Sequence, residues 1–82
     1  MISAQDVLGY VRAQPFRPFR IRMNSGRVFE IRHPEMVLLS EREAYIGRET
    51  SPGSGIAAEC DLVSLLHVVR VEQVPRTPVE AN

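Results

Sequence analysis

The sequence predicts a mainly β fold, in which an N-terminal helix precedes about five short antiparallel strands that form a small barrel. The first observation is that residues 19–31 have the pattern of a hairpin closed by the loop Asn24-Ser25-Gly26. The second is that the later apolar segments are short and are separated mostly by tight polar turns. Short strands joined in this way are typical of small barrels.

The hairpin has one register that satisfies both of its faces. A three-residue loop pairs Met23 with Arg27, and the pairs that follow place apolar residues together on one face and opposite charges on the other. These pairs are Ile21 with Phe29, Phe19 with Ile31, and Arg20 with Glu30. A slip of one residue would destroy both agreements, so the sequence predicts this register.

The remaining elements follow from capping, periodicity and turn signals. Ser3 and Asp6 have the spacing of a capping box, which predicts a helix over residues 4–13 that ends before Pro15. The apolar run 36–39 predicts a strand buried on both faces. The predicted strands are 19–24, 27–32, 36–39, 44–48 and 65–73. The glycine- and serine-rich composition of residues 49–55 predicts a mobile loop. The pattern of residues 56–64 is compatible with a helix, a strand or a loop.

Length and composition indicate one small domain. The chain has 82 residues, of which 44% are hydrophobic and 24% charged, and we expect a domain over residues 1–74 followed by a disordered tail over 75–82. A chain of this size buries only about 60% of its unfolded surface, so self-association would add stability. We expect a cytoplasmic protein, because the sequence has one cysteine, no apolar run of membrane-spanning length and no signal-peptide pattern.

Charge is distributed unevenly along a chain whose formal net charge is zero. All ten basic residues are arginine, which reflects either a GC-rich genome or a need for bidentate contacts with anions. Six of them lie within residues 1–32, whereas most acidic residues come later. We expect Glu30 to neutralise Arg20 and to leave Arg22 and Arg32 less matched. The candidate site for an anion or a partner is therefore Arg20, Arg22, Arg32 and His33.

The sequence contains no catalytic or metal-binding signature. Cys60 and His67 are interpreted as a small apolar residue at the core edge and a half-buried sheet residue, and the spacing of the histidines matches no zinc motif. The GxGxxA pattern at 53–58 lacks the βαβ context of a dinucleotide site. We expect no enzyme activity, no cofactor and no bound metal.

Two segments resemble a family of small, uncharacterised bacterial proteins. They are the PFRPFRI stretch at 15–21, which continues through Gly26-Arg27 to EIRHPE at 30–35, and the run VSLLHVVRVE at 63–72. The order of elements also resembles the Sm-like fold, an N-terminal helix followed by a five-stranded bent barrel. The Sm-like RNA site uses an Asp and an Asn near the third strand, where this chain has His33, Pro34 and Glu35.

These observations predict a non-enzymatic binding or interaction module that self-associates and is homo-oligomeric. The alternative is an Sm-like protein that binds RNA through the arginine-rich face of the hairpin. A membrane partner is not expected, and another protein or a further copy of the chain is favoured over nucleic acid.

Overall fold

The structure, a computed structural model, describes residues 2–51 and 53–75 and consists of one helix, six strands and two short 3-10 turns. The helix α1 is Ala4–Val11. The strands are β1 (Phe19–Met23), β2 (Val28–Ile31), β3 (Val37–Leu39), β4 (Glu43–Glu49), β5 (Ala57–Ser64) and β6 (Val68–Gln73). Within the described residues, no helix is long and apolar enough to cross a membrane. The tail predicted at 75–82 lies outside the described residues except for Pro75.

Helix α1 begins with the predicted capping box. The Ser3 hydroxyl accepts a hydrogen bond from the Asp6 amide at 3.2 Å, and the Asp6 carboxylate accepts one from the Ser3 amide at 2.9 Å. These two bonds satisfy amides that a helix N-terminus otherwise leaves unpaired. The helix ends at Val11 rather than at the predicted residue 13. It inserts Val7, which is fully buried, into the core.

Sheet A contains β2, β1 and β6 in that order, and all its pairs are antiparallel. The β1–β2 hairpin has the predicted register, including the pair Arg20 with Glu30. Its loop closes with a 2.8 Å hydrogen bond from the Met23 amide to the Arg27 carbonyl. Gly26 has φ of 93°, a value that residues with a side chain rarely adopt.

Sheet B contains β3, β4 and β5 in that order. The observed strands differ from the predictions in three ways. The prediction of about five strands was one too few, because 57–64, left undecided above, forms the longest strand, β5. The predicted strand 65–73 begins only at Val68, after a 3-10 turn at Leu65–His67. The prediction that β3 is buried on both faces is wrong, because β3 is an edge strand and Leu38 faces outward.

The two sheets share one hydrophobic core, which is closed at one end by α1. The chain passes from sheet A to sheet B through the 3-10 turn Pro34–Met36 and returns through Leu65–His67. Among the described residues no strand of sheet A pairs with a strand of sheet B. The architecture is therefore mainly β, as predicted, and consists of two packed three-stranded sheets that do not form a closed barrel within the described residues.

Candidate functional site

The outer face of sheet A, here called the arginine face, is charged except at Val28, which pairs with Arg22 and is exposed. Ile21 and Phe29 point into the core, so the residues that alternate with them point outward. This face contains four arginines and two glutamates: Arg20, Arg22, Arg32, Arg70, Glu30 and Glu72. The three residues of the predicted site that lie here are Arg20, Arg22 and Arg32.

Glu30 binds two of these arginines. Its Oε1 lies 3.2 Å from Arg20 Nε, and its Oε2 lies 2.6 Å from Arg32 Nη2. The predicted pairing of Arg20 with Glu30 is confirmed. The expectation that Arg32 is left less matched is wrong, because one carboxylate has an oxygen for each guanidinium.

Glu72 has the same role for the other two arginines. It pairs with Arg22, and its Oε2 lies 3.4 Å from Arg70 Nε. The hydrogen bond from Arg22 holds the pKa of Glu72 below its ordinary value. Arg22 is therefore matched as well, by a residue that only the β1–β6 pairing brings near it. Four positive and two negative side chains leave a net charge of +2 on the arginine face.

His33, the fourth residue of the predicted site, lies apart from these pairs. It follows β2 and precedes the first 3-10 turn, and its Nε2 lies 3.3 Å from Glu49 Oε1. This contact links the end of β2 to the end of β4. The structure therefore places His33 in the gap between the two sheets.

Asp61 forms a second charged cluster, which ties the two sheets together. Its Oδ1 lies 3.4 Å from Arg27 Nη2. Its buried Oδ2 lies 3.0 Å from Arg48 Nε, although not in hydrogen-bonding geometry. The Arg27 guanidinium also stacks 4.6 Å from the centre of the Phe29 ring. Arginines from the basic segment 1–32 therefore meet acidic residues of the later segment inside one molecule.

The outer face of sheet B carries an exposed apolar row. Leu38 pairs with Tyr45, and Tyr45 pairs with Leu62, so the three side chains run side by side across all three strands. Their exposed fractions are 70%, 42% and 57%, respectively. The sequence did not predict this row, because β3 was expected to be buried on both faces and residues 56–64, which include Leu62, had no assigned structure.

Cys60 and His67 occupy other environments than expected. Cys60 is exposed on β5, and not at the core edge. His67 is exposed in the second 3-10 turn, where its Nδ1 lies 3.3 Å from Asn24 Nδ2. In the described residues, Cys60 and His67 share no hydrogen bond, and no three His, Cys, Asp or Glu side chains are grouped so as to hold a metal ion.

Comparisons with protein-family models, with curated proteins and with solved structures found no match to this chain. Two surfaces of the chain could bind a partner, the arginine face and the apolar row. Of these, the arginine face is largely satisfied by its own carboxylates. The apolar row has no such partner within the described residues.

Proposed function

We propose that the protein is a non-enzymatic interaction module that forms a two-fold dimer through the outer face of sheet B. The observation that carries this proposal is the row Leu38–Tyr45–Leu62, which spans the whole sheet and faces solvent. Contiguous apolar patches on small proteins mark interaction sites. The small core of an 82-residue chain gains from burying this additional surface.

A second copy of the chain is the occupant that the face fits. Sheets pack on sheets about 10 Å apart through their side chains, and a two-fold axis along the row would place apolar residues against apolar residues. Glu43 lies beside Tyr45 on this face. A two-fold axis along the row reverses the strand direction of the second copy. Glu43, on one side of Tyr45, then lies over the partner's Gly47–Cys60 pair, on the other side, and not over the partner's Glu43. Like charges therefore stay apart.

The small size of the face limits the strength of the dimer. Three strands spaced about 4.8 Å apart, of which the central strand β4 is seven residues long, give a face of at most about 14 by 24 Å. This area is well below the roughly 800 Å² that each partner contributes to a standard interface. We therefore expect a reversible dimer with a dissociation constant on the order of 10–100 μM.

Sedimentation equilibrium over a range of protein concentrations tests the proposal. The wild-type mass should rise towards two chains, and Leu38→Asp should keep the protein monomeric because it places a carboxylate in the apolar row. Leu66→Asp is the matched control, since Leu66 is also exposed but lies in the second 3-10 turn. A wild-type protein that stays monomeric up to about 1 mM would rule the dimer out.

We also propose that the chain belongs to the family of small bacterial proteins that it resembles, and that its fold is an Sm-like barrel left open between β2 and sheet B. The element order, helix first, and the tight β1–β2 hairpin support this relation. An experimental structure that superposes on an Sm-like barrel over α1 and five strands would support it. Superposition limited to the β1–β2 hairpin would contradict it.

A second candidate function is nucleic-acid binding by the arginine face. The net charge of +2 on this face favours it, because phosphates bind where arginines outnumber carboxylates. The face has no aromatic side chain on which a base could stack, since Phe19 and Phe29 are in the core. We therefore rank it second to the dimer.

A further inference from the structure

A groove separates the edge of β2 from sheet B. Its volume is about 420 Å³, within the range of about 300–1,000 Å³ that is usual for ligand sites. Residues 27–33 form one wall without interruption, and Met36 with residues 46–49 form the other. The buried side chains of Ile31 and Ile46 lie among the lining residues and make the floor apolar.

The wall formed by β2 is an unpaired strand edge. The hydrogen bond from the Met23 amide to the Arg27 carbonyl shows that these two residues form a hydrogen-bonded pair. In an antiparallel ladder such pairs alternate with non-hydrogen-bonded ones, so Phe29 and Ile31 also hydrogen-bond to β1. The N–H and C=O groups of Val28 and Glu30 then point away from β1, towards the groove. No backbone hydrogen bond of the described residues involves these four groups outside the sheet pairing.

We propose that the groove binds an extended peptide segment of a partner protein, which pairs with β2 as a fourth strand of sheet A. Outward backbone groups at two alternate residues offer four hydrogen bonds to such a segment, and addition of a strand to a free edge is an established mode of peptide recognition. Because the edge is recessed in a groove of about 420 Å³, one extended chain fits where the edge of another folded sheet does not. This site is separate from the dimer face of sheet B.

The lining of the groove indicates the sequence pattern of the peptide. Side chains opposite Phe29 and Ile31 would point to the apolar floor, so alternate peptide positions should be apolar. At the rim, the side chains of Arg27, Arg32 and Arg48 are more than half exposed. All three arginines and both rim carboxylates, Glu30 and Glu49, are ion-paired, but the carboxylates are less than a third exposed. The exposed charge is therefore positive and favours acidic residues at the peptide ends.

Titration of isotope-labelled protein with a designed peptide, followed by NMR, tests the site. The probe is the capped peptide Glu-Ile-Thr-Val-Thr-Ile-Glu, whose two threonine amides would face Val28 and Glu30 while its central valine amide points away. Methylation of the two threonine nitrogens should weaken binding at least about tenfold, through loss of two backbone hydrogen bonds. Methylation of the valine nitrogen is the matched control and should change affinity little.

Variants of β2 give the complementary test. Val28→Pro removes one outward N–H, which an edge strand tolerates, and should weaken binding of the unmodified peptide. Val28→Ala keeps that N–H and should bind normally. If Val28→Pro does not fold, the methylated peptides decide alone.

Three results would overturn the proposal. The first is equal affinity of all three peptides, and the second is no binding of the unmodified peptide at about 1 mM. The third is slow hydrogen exchange at the Val28 and Glu30 amides of concentrated free protein that becomes fast on dilution. That result would assign the edge to a second copy of the chain.

Discussion

Replacement of Gly47 by alanine should destabilise the protein, whereas the same replacement at Gly9 should stabilise it. A β carbon at Gly47 would lie 3.1 Å from Met36 Sδ and 3.2 Å from Ala57 Cβ. The methionine can turn away, but Ala57 Cβ moves only with the backbone of β5. At Gly9, in the exposed face of α1, nothing lies within 4 Å of the new β carbon.

The expected magnitudes come from two opposing effects. Removal of a glycine reduces the freedom of the unfolded chain and stabilises by about 0.4–1 kcal/mol at either position. Crowding a packed site costs about 1–3 kcal/mol, so Gly47→Ala should lose about 0.5–2 kcal/mol. Gly9→Ala should gain up to about 1 kcal/mol, since alanine is also the better helix former.

Thermal unfolding of dilute protein gives the readout. For a domain of this size, 1 kcal/mol corresponds to about 4–8 °C in Tm, so the two variants should differ by roughly 5–20 °C. Ala57→Gly combined with Gly47→Ala should destabilise by less than the sum of the two single replacements, because it removes the contact that cannot relax. If Gly47→Ala raises Tm as much as Gly9→Ala does, the close approach of Met36 and Ala57 to Gly47 is refuted.

Two further predictions concern the arginine face. The lowered pKa of Glu72 means that its contribution to stability is complete above the ordinary glutamate pKa and is lost as pH falls through the folded-state value. The Tm difference between wild type and Glu72→Gln should therefore shrink as pH is lowered from about 7 to 3, and a difference independent of pH would contradict the pairing. Asp6, whose pKa is also lowered, is present in both proteins, so its contribution cancels in this Tm difference. If nucleic acid binds this face, Arg22→Glu with Arg32→Glu should abolish binding, and the wild-type affinity should fall steeply with salt; unchanged affinity would remove that candidate.

The features that the sequence predicted correctly are local ones. The hairpin register follows from a three-residue loop and from pairs no more than twelve residues apart, such as Phe19 with Ile31. The capping box of α1 joins Ser3 and Asp6, which are three positions apart. In both cases neighbouring residues determine the geometry, so a pattern in the chain is enough.

The features that the sequence did not predict depend on which strands meet. Strand β5 contains Ala57, Ala58, Glu59 and Asp61, which are poor strand formers, and it is held by its pairing with β4 and by the Arg48–Glu59 ion pair. The partner of Arg22 is 50 residues away and is brought near only by the β1–β6 pairing. The order of strands along the chain also does not determine whether β2 pairs with sheet B. Such pairing would close a barrel, and without it the strands form two separate sheets.

The dimer through sheet B is tested most directly by the rate at which a maleimide modifies Cys60, measured against protein concentration. Cys60 is the single cysteine, it is exposed, and it pairs with Gly47 in the row next to Tyr45 and Leu62. If this face is covered in the dimer, the rate constant should fall at least about fivefold between dilute and concentrated protein, in step with the rise in mass. A rate constant that stays the same while the mass doubles would place the interface elsewhere and contradict the account.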